Sequence, residues 1–279
     1  LRSSLLASAV LVWLAGGCSS AEGQKLRKPS VAGAFYPADP AELRKMVDEF
    51  LSRAKVEKVS GDPIALISPH AGYIYSGHVA AHAYALLRGR RIERVVVIAP
   101  CHIDAFPFSS VYDGDGYTTP LGIIPVDAAF AKELAGKHPL LKLSDRGHAE
   151  VQGRGEHSLE VQLPFLQRAL GEFKLVPIVM GDQSYDASRA LGVALAKMIR
   201  GPGTLIVASS DLSHFHPYDE AVALDRKVLN AIEEWDYFNM SQNFERRIWE
   251  ACGGGPIVAA MIAAERLQGN RARILKYAN

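Results

Sequence analysis

Short apolar runs that alternate with helical patterns constrain the fold of this chain more than any other feature of its sequence. The run at residues 95–99 is apolar on both faces, as is typical of parallel strands buried between helices. The runs occupy residues 64–68 (IALIS), 95–99 (VVVIA), 175–179 (LVPIV) and 204–208 (TLIVA). Because such alternation builds βαβ units, we predict an α/β fold with a central, mostly parallel or mixed sheet flanked by helices.

Helical periodicity fills most of the intervals between these runs. We predict helices at residues 77–87, 127–135, 158–170, 187–199, 218–234 and 256–267, and a last strand at residues 273–277. The chain has 279 residues, 48% of them hydrophobic, and we see no linker or repeat after residue 30, so residues 31–279 are predicted to form a single domain. The formal net charge of +1 provides no basic excess, and nucleic acid is therefore not expected as a partner.

The N-terminal residues are typical of a secretion signal rather than of a folded domain. Arg2 precedes an apolar run at residues 5–14, which is too short to span a bilayer, and small residues then lead to Cys18. We predict a signal peptide of the lipoprotein type at residues 1–18, lipidation of Cys18 and a polar tether at residues 19–30. This predicts a cell-envelope protein that is lipid-anchored or periplasmic. A plain secretory signal is one alternative, and a start site placed too early, which would leave the protein in the cytoplasm, is another.

Three of the predicted strands run into segments that contain histidine. His70 follows the first strand, His102 follows the second, and Asp211 and His214 follow the strand at 204–208. Ligands of open α/β sheets bind outside the carboxyl ends of the strands. The separation of His70 and His102 is about the length of one βαβ unit, which is consistent with neighbouring parallel strands. A single histidine at a strand end is usually a cap or loop residue, but three of the nine histidines at equivalent positions predict a shared site.

Other residues near these strand ends have both a functional and a structural interpretation. The hydroxyls of Tyr73 and Tyr75 either enter the pocket or pack the loop. Asp211 either orients an imidazole or caps the next segment, and His157 is either a pocket group or a cap at a helix N-terminus. Cys252 precedes a predicted helix, whose N-terminus favours a thiolate, and the alternative is a small buried hydrophobic residue.

Six motifs follow one another along the chain in a recognisable order. They are VAGAFYP at 31–37, PHAGYIYSG at 69–77, TPLG at 119–122, EHSLEVQLPFL at 156–166, SSDLSH at 209–214 and CG at 252–253. Together they resemble the motifs of the Memo-like family, whose bacterial members are called AmmeMemoRadiSam system protein B. That family is similar in fold to class III extradiol dioxygenases, which use non-haem Fe(II), and the resemblance implies the same fold here.

The resemblance also implies roles for individual residues. His70 and His102 resemble the two metal-binding histidines of the family, and Cys252 resembles the third ligand, which is a carboxylate in the dioxygenases. His214 resembles the acid or base beside the metal, with Asp211 next to it.

One further histidine and two departures complete the candidate site. His157 is an additional catalytic candidate. Cys101 stands where the family usually has serine, and Ile103 stands where it often has another histidine. Cys101 would either bind the metal or form a disulfide with Cys252, and the disulfide would remove a ligand.

Two imidazoles and a thiolate suit iron, copper or zinc, and we expect Fe(II) or Cu, with Zn as the alternative. Two classes of function remain open. The first is a metal-dependent, dioxygenase-like oxidoreductase that acts on an unidentified small molecule. The second is a non-catalytic metal-binding or accessory lipoprotein of the envelope, linked to a radical-SAM system. A zinc hydrolase is disfavoured because the sequence lacks an HExxH helix.

Overall fold

The computed structural model describes residues 23–57, 59, 61–269 and 271–279, and it confirms the predicted α/β fold. Its strands are β1 Leu26–Arg27, β2 Ala65–Ser68, β3 Arg94–Pro100, β4 Ser109–Tyr112, β5 Gly116–Thr119, β6 Gly122–Pro125, β7 Leu141–Ser144, β8 Lys174–Met180 and β9 Thr204–Ser209. Six of them form a central mixed sheet in the order β2-β9-β3-β8-β4-β7. The other three form a small sheet in the order β1-β5-β6.

The directions of the central strands bring the predicted site segments to one edge. Strand β9 runs parallel to both β2 and β3, and β8 runs parallel to β3, whereas β4 is antiparallel to β8. Ser68 at the end of β2 aligns with Ser209 at the end of β9. The expectation that the strands before His70 and His102 are neighbours is wrong, because β9 lies between them. Their carboxyl ends nevertheless meet the same edge.

Helices cover both faces of the central sheet. They are α1 Pro40–Arg53, α2 Tyr73–Ala85, α3 Ala128–Ala135, α4 Leu163–Leu170, α5 Tyr185–Met198, α6 Tyr218–Glu233, α7 Tyr237–Glu245 and α8 Gly254–Arg266. Across the described residues, none of them combines the length and the apolar character that crossing a bilayer requires.

Two hydrophobic cores lie on opposite faces of the central sheet. In β3, Val95 and Val97 join the core formed with α1, α2 and α4. Val96 and Ile98 join the core formed with α3, α5, α6 and α8. The alternation of side chains across a strand therefore explains why the run 95–99 is apolar at every position.

Several predicted element boundaries shift in the structure. Helix α2 begins at Tyr73 rather than at residue 77. The helix predicted at 158–170 is shorter, because a 3-10 turn at Glu160–Gln162 precedes α4. Pro164 within the first turn of α4 suits this late start, since proline is tolerated there.

The strand predicted at residues 273–277 is wrong. This segment forms no ladder with any strand in the described part of the chain. Side chains hold it instead: the Tyr277 hydroxyl donates to Asp225 over 2.8 Å, and Arg273 forms an ion pair with Glu57. A short sequence pattern alone does not provide a strand partner, which explains the error.

The fold begins within the segment predicted as a tether. Leu26–Arg27 pairs in parallel with β5, and the buried Arg27 side chain forms an ion pair with Glu160. The domain therefore starts before residue 31. The predicted signal peptide at 1–18, with Cys18, and the part of the tether at 19–22 lie outside the described residues.

Candidate metal centre

The segments that leave three adjacent strands position most of the candidate residues. His70 follows β2, Asp211 follows β9 and His102 follows β3. His157 reaches the cluster from the loop that precedes the 3-10 turn, and Cys252 reaches it from the turn before α8. The strand-end argument therefore identified three residues that the fold brings to one place.

The thiol of Cys252 lies against His70. Its Sγ is 2.9 Å from His70 Nε2, and Asp211 Oδ2 is 3.9 Å from the same nitrogen. The backbone N–H of Asp211 also donates to Sγ over 3.3 Å. Gly253 permits this approach, because a Cβ there would collide with the carbonyl oxygen of Ser209.

Two further imidazole rings, those of His102 and His157, lie next to His70. The centroids of His70 and His102 are 5.3 Å apart, and those of His70 and His157 are 5.4 Å apart, both nearly perpendicular. His102 and His157 lie nearly parallel, with centroids 4.7 Å apart. Phe35 packs against His157, and the centroids of the two rings are 4.6 Å apart.

Two groups of candidate ligands occur among the described residues, each with ligand atoms within 4.8 Å of one another. One group contains His70, His102 and His157, and the other contains His70, Asp211 and Cys252. His70 belongs to both. The set expected from the sequence, His70 with His102 and Cys252, is therefore divided between the two groups.

Ser209 determines which nitrogen of His70 carries hydrogen. Its hydroxyl donates to the carbonyl oxygen of Ser158 over 2.6 Å and accepts a hydrogen bond from Gln162 Nε2 over 2.7 Å. His70 Nδ1 lies 2.8 Å from the same hydroxyl oxygen. Because the hydroxyl's single proton is already committed, Nδ1–H must be the donor, and Nε2 keeps its lone pair.

Glu156 orients His102 in a similar way. The Nδ1 of His102 lies 2.9 Å from Glu156 Oε1, and the backbone N–H groups of His102 and Ser158 donate to the same carboxylate. Burial opposes the charge, but these hydrogen bonds outweigh it and lower the pKa of Glu156 to about 2. An ionised carboxylate on Nδ1 leaves Nε2 of His102 for a ligand, as is common around metal-binding histidines.

Burial controls the protonation of His70 and Cys252. It lowers the pKa of His70 to about 4, against the opposing charge of Asp211, so the imidazole is neutral near pH 7. Burial also raises the pKa of Cys252 to about 12. The expectation that the start of a helix favours the thiolate is therefore wrong for the protein without an ion, since desolvation dominates. Cys101 and Cys252 are both free thiols, so the disulfide alternative is not formed.

His214 lies apart from these donor groups. It is exposed and lines a cleft of about 900 Å³ together with Asp211 and Tyr75. Asp211 belongs to both the cleft and the cluster, and it therefore connects them. The tyrosine alternatives are resolved: Tyr73 is buried and its hydroxyl donates to Val161, whereas Tyr75 is exposed at the cleft.

Sequence reasoning missed the residues that orient the histidines. Glu156 adjoins the singled-out His157, and its carboxylate was a detectable signal. Ser209 is the last residue of β9, and its place at a strand end gave no signal of a contact with His70. Gln162 gave no local signal, because its contact with Ser209 joins residues far apart in the chain.

Comparisons with known proteins agree with the motifs. The model of the family described as "Memo-like protein" matches residues 27–279. The chain is 38% identical to a MEMO1 family protein of Aeropyrum pernix, over 91% of this chain and 93% of that protein. It is 36% identical to relatives from Methanopyrus kandleri and Aquifex aeolicus, over 90% and 91% of this chain and 91% and 92% of theirs.

Proposed function

This chain belongs to the Memo-like family, and we propose that it binds a redox-active metal ion through His70, His102 and Cys252. The proposed chemistry is redox or non-haem-oxygenase-like and acts on an unidentified small molecule. Fe(II) or Cu is the proposed ion, with Zn as the alternative, because imidazole and thiolate suit these metals. The observation that carries the proposal is the 2.9 Å approach of Cys252 Sγ to His70 Nε2.

The donor set fits such an ion. His70 and His102 each engage Nδ1 with an oxygen of the protein, so both retain Nε2 for coordination. Cys252 would lose its thiol hydrogen on binding, and the pKa of about 12 makes this loss costly unless the ion is soft or strongly charged. When bound, an iron or copper ion would supply electron transfer and Lewis acidity.

The remaining residues provide orientation and proton transfer. Asp211 accepts the backbone N–H of His70 over 2.7 Å and so fixes the loop after β2. His214 is the proposed acid or base for a small molecule in the cleft, since it is exposed there beside Asp211. His157, half-buried against His102, is a further proton-handling group.

Metal analysis tests the proposed function. The full chain is purified without oxygen, and Fe, Cu and Zn are quantified in wild type, His70→Ala and Cys252→Ser. We expect both variants to bind the ion at least about tenfold more weakly, because even a lost orienting group costs about 10- to 100-fold. His138→Ala, an exposed histidine outside both donor groups, is the matched control. Unchanged metal content in both site variants would disprove the site.

A turnover assay separates enzyme from carrier. Oxygen consumption with a catechol-like probe that depends on His214 and Asp211 would support the oxidoreductase. Tight metal binding without turnover would support the second candidate, a non-catalytic metal-binding or accessory lipoprotein of the envelope linked to a radical-SAM system. The burial of His70, which is 1% exposed, favours this candidate because a buried donor retains an ion well. Its envelope location is tested by Cys18→Ser, which should abolish membrane association.

A further inference from the structure

Strand β2 forms one edge of the central sheet. On its inner side, the carbonyl oxygens of Ile64 and Ser68 accept hydrogen bonds of 3.0 and 2.9 Å from β9 and the residue that follows it. Because N–H and C=O groups alternate in direction along a strand, those of Ala65 and Ile67 point away from β9. They have no backbone hydrogen-bond partner in the described part of the chain. Such an edge is a template for a further strand.

The cleft of about 900 Å³ runs along this edge. It is bordered by residues 64–67, by Val79 and Ala83 of α2, and by Ala260 and Ala264 of α8. Since α2 and α8 belong to the two opposite cores, a strand in the cleft would be covered on both faces, as β3 is. A second copy of this chain cannot bring its own β2 into the cleft, because that strand is recessed between the same two helices. A single extended segment can enter.

Residues 271–277 border the same cleft and show the side-chain alternation of a strand. In β2, Leu66 belongs to the core that contains α2, and Ile67 packs against the core that contains α8. In the C-terminal segment, Leu275 packs against the first of these cores and Ile274 against the second. Two segments that border one cleft therefore direct side chains to the same two cores, although they do not pair with each other.

Two buried polar atoms of the cleft residues also lack a partner. Trp235 Nε1 and Ser213 Oγ have no hydrogen-bond partner among the described residues. An indole N–H can only donate, and buried polar groups are normally hydrogen-bonded. The cleft therefore suits an occupant that carries hydrogen-bond acceptors, and a polypeptide backbone provides one carbonyl oxygen per residue.

The charges at the cleft favour acidic residues in the occupant. Arg271 and Lys276 border the cleft, are exposed and form no ion pair within the described ranges. Two acidic residues that also border it are already engaged: Asp62 pairs with Arg90, and Asp225 accepts a hydrogen bond from the Tyr277 hydroxyl. The unpaired charges on this border are therefore cations.

We propose that an extended segment of a partner protein, apolar at successive positions and flanked by acidic residues, enters this cleft and pairs with the outer edge of β2. It becomes a seventh strand of the central sheet and supplies the strand partner that residues 273–277 lack. Addition of a strand to an open sheet edge is a common mode of peptide recognition. The segment occupies the cleft beside Ala65 and Ile67, whereas the proposed small molecule binds beyond Pro69, beside Asp211 and His214. The inference does not depend on a bound metal.

Amide hydrogen exchange of the metal-free full chain tests this pairing. The probe is an acetylated, amidated peptide that carries the run VVVIA of residues 95–99 between pairs of glutamates. We expect the probe to slow exchange at Ala65 and Ile67 at least about tenfold, because their N–H groups become hydrogen-bonded. The N–H of Leu66 points to β9 and should exchange slowly with or without the probe. The indole N–H resonance of Trp235 should shift on binding.

Substitution at Ala65 separates backbone pairing from apolar contact. Ala65→Pro removes the outward N–H, and proline is tolerated at the first residue of an edge strand. The probe should bind about 5- to 100-fold more weakly, because one of its carbonyl oxygens is left buried and unpaired. Ala65→Gly, which keeps the N–H, is the matched control. If Ala65→Pro does not fold, probes N-methylated at alternate residues replace it, and only one of the two alternations should abolish binding to wild type.

Each contrary outcome overturns the proposal. These outcomes are failure of the probe to bind, binding without protection of Ala65 and Ile67, and equal affinity for wild type and Ala65→Pro. Protection of both amides without the probe would show that the chain or a second copy covers the edge itself, and a second copy would make that protection depend on protein concentration. Equal binding of a probe with lysines in place of the glutamates would contradict the acidic flanks. None of these results bears on metal binding, which is measured separately.

Discussion

His70 and His148 are buried histidines with different uses, and their comparison shows what marks a ligand site. Each is 1% exposed, and burial lowers the pKa of each to about 4. His148 donates from Nε2 to the Ser110 carbonyl oxygen over 3.0 Å, and its Nδ1 accepts from the Tyr117 hydroxyl. His70 engages Nδ1 with an oxygen, but its Nε2 faces a thiol. The two histidines therefore share burial and a low pKa. They differ at Nε2, which contacts the thiol of Cys252 in His70 and a backbone carbonyl in His148.

The two histidines also differ in how the charged groups around them are paired. Around His148, the buried charges are paired: Glu160 forms an ion pair with Arg27 and accepts hydrogen bonds from the backbone N–H groups of Ser30 and Val31. This network fastens the N-terminal segment to the loop that carries His157. Around His70, the carboxylates of Asp211 and Glu156 have only histidines as ion-pair partners among the described residues, which is an arrangement that a cation would complete.

Glu160→Gln, in the buried network near His148, should cause the largest loss in the free energy of unfolding. It would leave Arg27 buried without its charged partner, and loss of one member of a buried pair costs about 3–5 kcal/mol. Urea denaturation measures the free energy of unfolding. The metal content of the protein that remains folded should be unchanged, because Glu160 is in neither donor group.

An exposed ion pair provides the matched control for Glu160→Gln. Asp48 binds Arg168 through two hydrogen bonds at the surface. Asp48→Asn should cost less than about 1 kcal/mol, because solvent screens exposed pairs. If the free energy of unfolding falls equally in Glu160→Gln and Asp48→Asn, the buried network around His148 contributes no more to stability than a surface pair.

Strands β2, β3, β8 and β9 were predictable because each is encoded by a local apolar run, whereas β1, β4, β5, β6 and β7 were not predicted. The run 95–99 is apolar at each position since both faces of β3 are covered. Residues 26–30 were wrongly predicted to be part of the tether. A charged residue such as Arg27 is expected to be exposed to solvent unless a buried partner for it is known. That partner, Glu160, is 133 residues away, and no local pattern connects them.

The candidate site was only partly predictable for a related reason. Strand ends identified His70, His102 and Asp211, because parallel strands deliver their ends to one edge. The same reasoning extended to His214, which the structure places at the exposed cleft rather than in a donor group. The orienting contact of Ser209 with His70 depends on strand register, which the sequence did not give.

Ser209→Ala sharpens the comparison on the His70 side. Without the hydroxyl, Nδ1 of His70 loses the acceptor that fixes its tautomer, and Nε2 would carry hydrogen in part of the molecules. Metal affinity should fall about 10- to 100-fold, as is typical when a group that orients a ligand is lost. Ser188→Ala, which removes a buried hydroxyl that has no hydrogen-bond partner among the described residues, is the matched control. Affinity equal to wild type in Ser209→Ala would show that the tautomer is not fixed by this contact.

The pH dependence of stability at His148 provides a further prediction. Its pKa is about 4 when folded and about 6.5 when unfolded, so between these values the unfolded chain binds a proton that the folded chain does not. Stability from this group is therefore complete above about pH 6.5 and falls as the pH drops toward 4, by at most about 1.4 kcal/mol per pH unit. Urea denaturation from pH 7 to 4.5 should show a shallower slope in His148→Gln, with the remainder coming from His70 and His157, whose pKa values burial also lowers. The exposed His138→Gln should keep the wild-type slope. If His148→Gln keeps it too, the two buried histidines do not share the property on which their comparison depends, and His148 takes up a proton without loss of the fold.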